Sequence, residues 1–312
     1  MSSWLEGKPL AEKIKAEVAE RVAYYKEKTG KAPGLVGILV GENKSSQVYL
    51  RSKERASQQV GISAKILRLP ADMKAEGLKA TIQSLNRDEN VDGILVQLPL
   101  PGHLDPLDVI SAIDPAKDAD GIHPLTLGRL LQNQDVLRAC TPSGILELLK
   151  FHNIPLAGQE VVIIGRSLIV GKPLALMLIN ENATVTVCHS KTRDLAAVAS
   201  RADILVAAMG RTAFVTPDFV KPGAVVVDVG INSVSDGEVV TRIFGDDVGR
   251  HKDLLEKGYT LVGDVRPDVF AKASAMTPVP GGVGLLTVAA LMKNTLRAFV
   301  RLKGLNLAGT LE

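Results

Sequence analysis

Short apolar runs alternate with amphipathic stretches along most of the chain, and this alternation predicts an α/β fold. An amphipathic stretch from Leu10 to Thr29 predicts a helix that ends at Gly30. Continuous apolar runs are typical of strands buried in a parallel sheet. The first half has one such run at residues 35–40 and further predicted strands at 64–69 and 93–98, separated by helix-like segments at 45–60 and 74–86. These residues therefore predict a layered α/β domain with a parallel sheet.

The alternation begins again after Gly158, with the rhythm of a doubly wound nucleotide-binding domain. Strands are predicted at residues 161–165, 183–188, 204–208 and 224–230, and helices at 170–180 and 195–199. A further helix at 141–151 joins the two halves. The second half is therefore predicted to be a Rossmann-like domain.

The predicted domain boundary is discontinuous. The last long helix, at residues 284–302, follows the turn sequence PVPGG and is expected to return to the first domain. Residues 1–140 and 280–312 would then form one domain and residues 141–279 the other, in agreement with a length of 312 residues. The final residues, 304–312, are expected to fray.

Composition and charge narrow the possible partners. The 37 basic and 34 acidic residues leave a net charge of +3 without a Lys/Arg block, which argues against nucleic acid as a partner. Cys140 and Cys188 form neither a disulfide framework nor a metal-ligand spacing, and the histidines also lack metal spacing, so no metal site is predicted. No stretch reaches the length of a membrane span, and the N-terminal sequence lacks the apolar core of a secretory signal. We expect a cytoplasmic protein without a membrane partner.

Four side chains in the first half form a candidate catalytic group. Tyr49 and Lys53 lie four residues apart on a predicted helix, so the ring and the amine share one face. Gln97 ends a buried strand run, where a polar side chain needs a partner and where open α/β sheets bind ligands. With Asp120 from an acidic loop, this group could hold a flat heterocycle and move a proton beside it. The alternatives are a solvated Lys53, a core Tyr49 and an Asp120 that only caps a turn.

A second candidate site begins at Gly165. The sequence GRSLIVGKP follows a predicted strand and opens a helix, so Gly165 would allow a tight turn and the helix start would offer N–H groups to an anion. The spacing differs from G-x-G-x-x-G, and an ordinary strand–turn–helix corner is an equal alternative. The next strand ends in CHSKTR with no acid before Asp194, and Arg166 lies close to the same pocket in such a fold. This favours NADP over NAD, although Lys191 and Arg193 could also be a solvated basic loop.

Taken together, the motifs resemble the bifunctional methylenetetrahydrofolate dehydrogenase/methenyltetrahydrofolate cyclohydrolase family from about Leu5 to Arg301. The ordered set is too specific for chance agreement. It comprises YLRSK, DGILVQLPLP, KDADGIHP, CTPSG, GRSLIVGKP, CHSKT, KPGAVVVDVGIN, GDV and TPVPGGVG.

The resemblance implies two α/β domains with a folate cleft between them, NADP as cofactor, tetrahydrofolate derivatives as substrates and a homodimer that pairs through the nucleotide domain. Lys53 would be the base of the cyclohydrolase step, hydrogen-bonded by Gln97. Tyr49 would stack on the folate ring and Asp120 would hold the amino edge of the pterin. The implied substrate-binding residues are Tyr49, Lys53, Gln97, Leu98, Pro99, Asp120, Pro280, Gly281 and Gly282. The implied cofactor-binding residues are Thr141, Gly165, Arg166, Ser167, His189, Ser190, Ile231 and Thr287.

A lysine base must lose its proton, because an exposed lysine amine is almost fully charged at neutral pH. Partial burial and the bound cation are expected to favour the neutral form of Lys53. The alternatives are a dehydrogenase without cyclohydrolase activity, a folate- or nucleotide-binding protein without turnover, and another two-domain NADP dehydrogenase. Intact Lys53 and Gln97 argue against the first of these.

The chain departs from the family pattern in two places. Leu285 and Leu286 stand where the family usually has proline and methionine, which predicts an altered cleft edge rather than a lost site. Residues 233–262 are longer than the usual link, and they predict either a surface excursion or an added helix beside the cofactor.

Overall fold

The structure, a computed structural model, describes residues 2–306, apart from the side chains of residues 44 and 45. Of the tail that was expected to fray, residues 307–312 lie outside the described part. The described strands are β1 Ser3–Trp4, β2 Gly34–Val40, β3 Ser63–Leu69, β4 Gly93–Val96, β5 Glu160–Ile164, β6 Thr184–Cys188, β7 Ile204–Ala207, β8 Val225–Asp228, β9 Asn232–Val234, β10 Thr260–Val262 and β11 Ala275–Met276.

The helices are α1 Lys8–Thr29, α2 Lys44–Gln59, α3 Ala75–Arg87, α4 Pro106–Ile110, α5 Pro124–Leu131, α6 Cys140–Phe151, α7 Gly171–Asn180, α8 Leu195–Ala199, α9 Gly237–Phe244, α10 Val248–Lys257 and α11 Val283–Leu302. Short 3-10 turns occur at Pro217–Phe219 and Pro267–Ala271. The alternating strands and helices predicted from the apolar pattern are present, which confirms the α/β class.

The chain forms two compact units. Thr141–Thr287 and the segment that ends at Leu10 make up the six-strand unit, and Ala11–Cys140 with the segment that begins at Val288 makes up the three-strand unit. Spatial proximity thus groups residues 2–10 and 280–287 with the Rossmann-like part of the chain. The functional boundaries at 1–140 with 280–312, and at 141–279, stay a prediction.

The three-strand unit has a parallel sheet in the order β3-β2-β4. The central strand β2 is buried along its whole length, as its continuous apolar sequence predicts. A side chain at Gly37 on β2 would lie 2.7 Å from Leu50 Cδ1. Glycine there lets the buried Leu50 seat α2 closely on the sheet. The chain leaves β2 towards β3 and returns to the other side of β2 as β4, so the strand order reverses at the carboxyl ends of β2 and β4.

The six-strand unit has an all-parallel sheet in the order β1-β11-β8-β7-β5-β6. The chain runs from β5 outward to β6 and then returns to the other side of β5 as β7. This reversal places the topological switch point, where doubly wound sheets bind nucleotides, at the carboxyl ends of β5 and β7. The apolar core beneath it includes Val162, Leu205 and Val226, all fully buried.

The long link at residues 233–262 contains helices α9 and α10, flanked by an antiparallel ribbon of β9 and β10. We call residues 233–262 the insertion. Val240 on α9 is fully buried, so the insertion is packed at this position. The sequence predicted either a surface excursion or an added helix in the insertion, and the structure has two helices there.

The expectation that no stretch is long enough to cross a membrane was wrong. Helix α11 has 20 residues and is long and apolar enough to cross a membrane, although 83% of its most apolar stretch is buried inside the protein. A helix buried in a protein core can have the length and composition of a membrane-spanning helix, because the apolar residues that suit a membrane also suit a protein interior.

Candidate active site

Lys53 lies on the buried face of α2 in the three-strand unit. It is 5% exposed, and it follows the fully packed Leu50 by three residues on the same face. The Lys53 ammonium lies 4.9 Å from the centre of the Tyr49 ring and 3.7 Å from Asp120 Oδ1. The structure thus brings together the aromatic ring, the amine and the carboxylate. Lys53 is buried, whereas its neighbours Arg51 and Arg55 are exposed. The alternative of a solvated surface lysine is therefore wrong.

The charge balance around Lys53 differs from the expectation. Burial is the largest influence and lowers the pKa of Lys53, but the Asp120 carboxylate, Tyr49 and Cys140 act in the opposite direction and together outweigh it. The net effect raises the pKa of Lys53 above its ordinary value of 10.5. In the ligand-free protein Lys53 therefore holds its proton. Burial favours the neutral amine, as expected, but the expectation did not include a carboxylate at this distance, so the protonated form prevails.

Gln97 follows directly after β4, at the carboxyl edge of the three-stranded sheet. Its backbone N–H donates to Ile38 O at 2.9 Å, and its side-chain Nε2 donates to Leu98 O at 2.8 Å. Gln97 Oε1 is buried and has no hydrogen-bond partner among the described residues. The hydrogen bond expected between Gln97 and Lys53 is absent from the described contacts. An unpartnered buried acceptor is costly, and it leaves this oxygen available to a donor on a ligand or to the Lys53 ammonium.

The loop that carries Asp120 is held in place by a second carboxylate, Asp118. Asp118 Oδ2 accepts from His123 N at 2.7 Å, and Oδ1 accepts from Gly121 N at 3.1 Å. Burial raises the pKa of Asp118 to about 7, despite these N–H donors. Gly121 has φ +69°, and a Cβ there would lie 2.3 Å from Arg138 C. Only glycine can turn the chain here without moving Asp120.

Asn294 from α11 supports the same loop from another side. Its Nδ2 group donates to Ala119 O at 2.9 Å and to Arg138 O at 2.7 Å. The Cys140 thiol also donates to Ala119 O, at 3.3 Å. Asn294 and Asp118 were not predicted to belong to the site, and Cys140 was expected to be an ordinary buried thiol. The sequence gives little sign of these roles, because each side chain bonds to backbone atoms that only the folded chain brings near.

The cofactor candidates Gly165, Arg166 and Ser167 lie at the switch point of the six-stranded sheet, directly after β5. Gly165 has φ +137°, and a Cβ there would lie 2.2 Å from Ala208 O. A Cβ at Gly171 would lie 2.0 Å from Gly165 O. Both glycines are therefore required by close backbone approach, although their spacing differs from the usual motif. Ser167 Oγ accepts from Val170 N at 3.1 Å, which orders the start of α7.

His189 and Ser190 follow β6, the neighbouring strand. His189 N donates to Thr192 Oγ1 at 2.9 Å, and His189 Nδ1 accepts from Lys191 N at 3.1 Å. These bonds make an ordered turn whose exposed side chains are neutral or basic. Arg166, on the loop after the adjacent strand, is also exposed. The turn therefore presents hydroxyl, imidazole and cationic groups, which suit a phosphate.

Of the remaining candidates in the same unit, Thr141 lies on α6 and Thr287 on α11, and the others follow β8 and β11. Thr141 and Thr287 share a hydrogen bond of 2.9 Å between their hydroxyl oxygens. A pocket of about 190 Å³ is lined by residues of two loops, Asp228–Ile231 and Pro278–Leu285, with Leu261. It therefore includes Ile231, Pro280, Gly281 and Gly282. A Cβ at Gly282 would lie 2.7 Å from Pro278 O, so the loop requires glycine there.

The two residues that replace the family pattern have different surroundings. Leu285 is 38% exposed and lines the pocket, whereas Leu286 is fully buried. A Cβ at Gly144 would lie 2.6 Å from Leu286 Cβ, so Leu286 packs against the α6 backbone. Leucine in place of methionine is a volume-conserving core change. Of these two leucines, only Leu285 lies at the edge of the pocket.

Two buried aspartates that were not predicted from the sequence, Asp228 and Asp264, order the backbone around this pocket. Asp228 Oδ1 accepts from Gly230 N at 3.0 Å and from Asp264 N at 2.8 Å. Asp264 in turn accepts from Met209 N at 2.7 Å and from Arg211 N at 2.8 Å. These bonds fix the loops after β7, β8 and β10. The sequence signal for these two residues was an acidic side chain at or just after the end of an apolar run, as in VVVD and VGD.

Comparison with known proteins agrees with this geometry. The model of the tetrahydrofolate dehydrogenase/cyclohydrolase catalytic domain matches residues 5–120, and the model of the family's NAD(P)-binding domain matches residues 139–303. The chain belongs to the tetrahydrofolate dehydrogenase/cyclohydrolase family. The catalytic-domain match contains Tyr49, Lys53, Gln97 and Asp120, and the NAD(P)-binding match contains the Gly165 loop.

Full-length relatives of the family are similar over nearly the whole chain. The bifunctional protein FolD of Koribacter versatilis is 48% identical over 298 residues, which cover 96% of this chain and 97% of the relative. The bifunctional protein FolD of Solibacter usitatus is 48% identical over 301 residues, covering 96% and 98%.

Solved structures of the family share the fold. The bifunctional enzyme FolD of Campylobacter jejuni is 41% identical, with a TM-score of 0.86 over 96% of this chain and 99% of that chain. The methylenetetrahydrofolate dehydrogenase-cyclohydrolase of Trypanosoma brucei, solved with NADP cofactor and an inhibitor, is 38% identical, with a TM-score of 0.87 over 96% and 98%.

Proposed function

We propose that this chain oxidises 5,10-methylenetetrahydrofolate to 5,10-methenyltetrahydrofolate with NADP and then hydrolyses the product to 10-formyltetrahydrofolate. The relatives at 48% identity carry the name of the bifunctional enzyme, and both family domains are matched. The comparisons support both activities, rather than a dehydrogenase alone or a binding protein without turnover. The observation that carries the hydrolytic half is the buried Lys53, with the Tyr49 ring and the Asp120 carboxylate beside it.

The residues at the switch point fit NADP. The Gly165 loop brings backbone within reach of a pyrophosphate, because side chains are excluded at Gly165 and Gly171. The turn after β6 presents His189 and Ser190 without a carboxylate, and Arg166 supplies a cation for a 2′-phosphate. When bound, NADP supplies the hydride acceptor of the oxidation. Thr141, Ser167, Ile231 and Thr287 complete the proposed cofactor set.

The folate site is proposed on Tyr49, Lys53, Gln97, Leu98, Pro99 and Asp120, together with Pro280, Gly281 and Gly282. Tyr49 stacks on the flat ring system, and Asp120 accepts hydrogen bonds from the pterin amino edge. The free Gln97 Oε1 accepts a hydrogen bond from the Lys53 ammonium or from the substrate. These contacts orient the one-carbon unit, which is the main contribution of the protein to the oxidation.

Lys53 is the proposed base of the hydrolysis. Water adds to the methenyl carbon, and the neutral amine of Lys53 takes the proton that the water gives up. The bond between this carbon and N5 then breaks as the hydroxyl proton is transferred to N5, which leaves the formyl group on N10. In the free protein Asp120 keeps the amine protonated. Bound folate changes this balance in two ways: its amino edge engages Asp120, and its own positive charge disfavours a second cation nearby. The amine therefore becomes a base only in the complex.

A spectrophotometric assay of the purified chain tests this function. With methylenetetrahydrofolate and NADP, we expect NADPH to form and methenyltetrahydrofolate to appear and then decay. Formation of NADPH with persistent methenyltetrahydrofolate would refute the hydrolytic half. The absence of NADPH, with NAD tried in parallel, would refute the oxidation.

We also propose a cytoplasmic homodimer that pairs through the six-strand unit. Strand β6 is the edge strand of that sheet and pairs only with β5 among the described strands. An open edge is normally covered in the native assembly. Both cysteines are free and buried, which suits a reducing compartment. Light scattering at micromolar concentration should give twice the mass of 33.2 kDa, and a monomer would contradict the pairing.

A further inference from the structure

The insertion carries one side chain that reaches the pocket loop. Arg250 lies on α10 and is half-buried. Its Nη1 group donates to Leu261 O, and its Nη2 group donates to Val279 O. The guanidinium lies 4.5 Å from the centre of the Phe244 ring on α9, which restrains its position. One planar group thus ties two separate backbone segments together.

Both of these segments are walls of the 190 Å³ pocket. Leu261 and Val279 line it, and Val279 directly precedes Pro280, Gly281 and Gly282. On its other side the loop is held by Gly7, whose N–H donates to Gly281 O at 2.9 Å. Arg250 and Gly7 therefore fix the loop from two directions. Since glycines have the largest conformational freedom, a Gly-Gly segment holds one shape only when its neighbours hold it.

We propose that Arg250 is a positioning residue for folate binding, which holds the Pro280–Gly282 backbone through Val279 O and Leu261 O. This inference rests on the proposed function, because it takes the Pro280–Gly282 loop as part of the folate site. Arginine is required because its rigid fork reaches two carbonyl groups at once, whereas the lysine ammonium is a point charge on a flexible stem. The insertion thereby acts on substrate affinity without contact to the reacting atoms.

The test compares Arg250→Ala and Arg250→Lys with two controls. Lys252→Ala removes an exposed charge from the same helix, and Val240→Ala weakens the interior of the insertion without touching the clamp. The measured quantities are the KM for methylenetetrahydrofolate, kcat at saturating NADP and the melting temperature. We expect Arg250→Ala, which removes both charge-assisted hydrogen bonds, to raise this KM by about tenfold or more with a much smaller change in kcat. Arg250→Lys should be intermediate, and both controls should match the wild-type KM.

An Arg250→Ala enzyme with wild-type KM would overturn the inference. So would a Val240→Ala enzyme with the same rise in KM, because the effect would then come from the stability of the insertion as a whole. A wild-type protein that turns over no folate would instead overturn the proposed function, and this inference with it. The two failures are therefore distinguishable.

Discussion

Replacing Asp120 by asparagine should reverse the charge preference at Lys53. At 3.7 Å, two unit charges interact by about 4 kcal/mol at an effective dielectric constant of about 20. This attraction, together with Tyr49 and Cys140, outweighs burial and keeps the pKa of Lys53 above 10.5. In Asp120→Asn the attraction is lost, whereas the burial remains. The pKa of Lys53 should then fall below that of exposed lysines.

The sign of the stability effect follows from linkage. In the wild type the folded-state pKa of Lys53 is raised, so the pair stabilises the fold below the unfolded pKa of about 10.5. This contribution is lost as the pH rises through the folded-state value. In Asp120→Asn a buried, unpaired ammonium destabilises the fold at neutral pH, and the variant should gain stability relative to wild type as the pH rises and the amine loses its proton.

Carbon-13 NMR of lysine labelled at Cε measures this directly, because the Cε shift reports the protonation of the amine. The Lys53 signal, assigned by its loss in Lys53→Met, should titrate above the exposed lysines in wild type and below them in Asp120→Asn. Asp72→Asn, at an exposed position, serves as the control and should match wild type. If Lys53 titrates at the same pH in wild type and in Asp120→Asn, the electrostatic account of the site is refuted.

Three further substitutions test the cofactor loop and the Asp120 support. Arg166→Ala should raise the KM for NADP by about tenfold and leave the KM for NAD unchanged, since only the former has the 2′-phosphate; equal changes for both cofactors would exclude Arg166 from that contact. Gly165→Ala places a Cβ 2.2 Å from Ala208 O, so fluorescence titration should show greatly weakened NADPH binding while added methenyltetrahydrofolate is still hydrolysed; normal binding would contradict the proposed loop. Asn294→Leu leaves Arg138 O without its donor and Ala119 O with only the Cys140 thiol, and urea unfolding should show a loss of about 1–4 kcal/mol; an unchanged free energy of unfolding would show that water or a local shift replaces these bonds.

The sequence predicted the three-stranded sheet and strands β5 to β8 of the six-stranded sheet from their largely apolar runs, but it missed the two-residue strands β1 and β11, which are too short to give a pattern. The predicted strand at 93–98 ends early, at Val96; the Gln97 backbone still bonds to Ile38 O, but Pro99 has no N–H to continue the ladder. Helices α4 and α5, of 5 and 8 residues, were not predicted. They fall in a long irregular stretch after β4, whereas the equally short α8 lies between two closely spaced predicted strands.

The candidate site was predictable only where side chains themselves carry the chemistry. Tyr49 and Lys53 were found because spacing along one helix fixes their relative position. The supports of the site were missed, because Asn294 and Asp118 bind backbone groups of the loop around Asp120. Arg250 was missed for the same reason, since both of its partners are carbonyl oxygens, and a carbonyl is present at every residue. The protonated state of Lys53 depends on a distance to Asp120 that sequence separation does not determine.

The central claim is that Lys53 is the base of the hydrolytic step, and single-turnover decay of methenyltetrahydrofolate tests it most directly. Lys53→Met removes the amine from the buried face of α2, and Arg51→Met makes a similar change at an exposed position on the same helix. We expect Lys53→Met to slow the decay by about 100-fold or more, the contribution typical of a positioned acid–base group, while Arg51→Met decays at the wild-type rate. Decay at the wild-type rate in Lys53→Met would contradict the account.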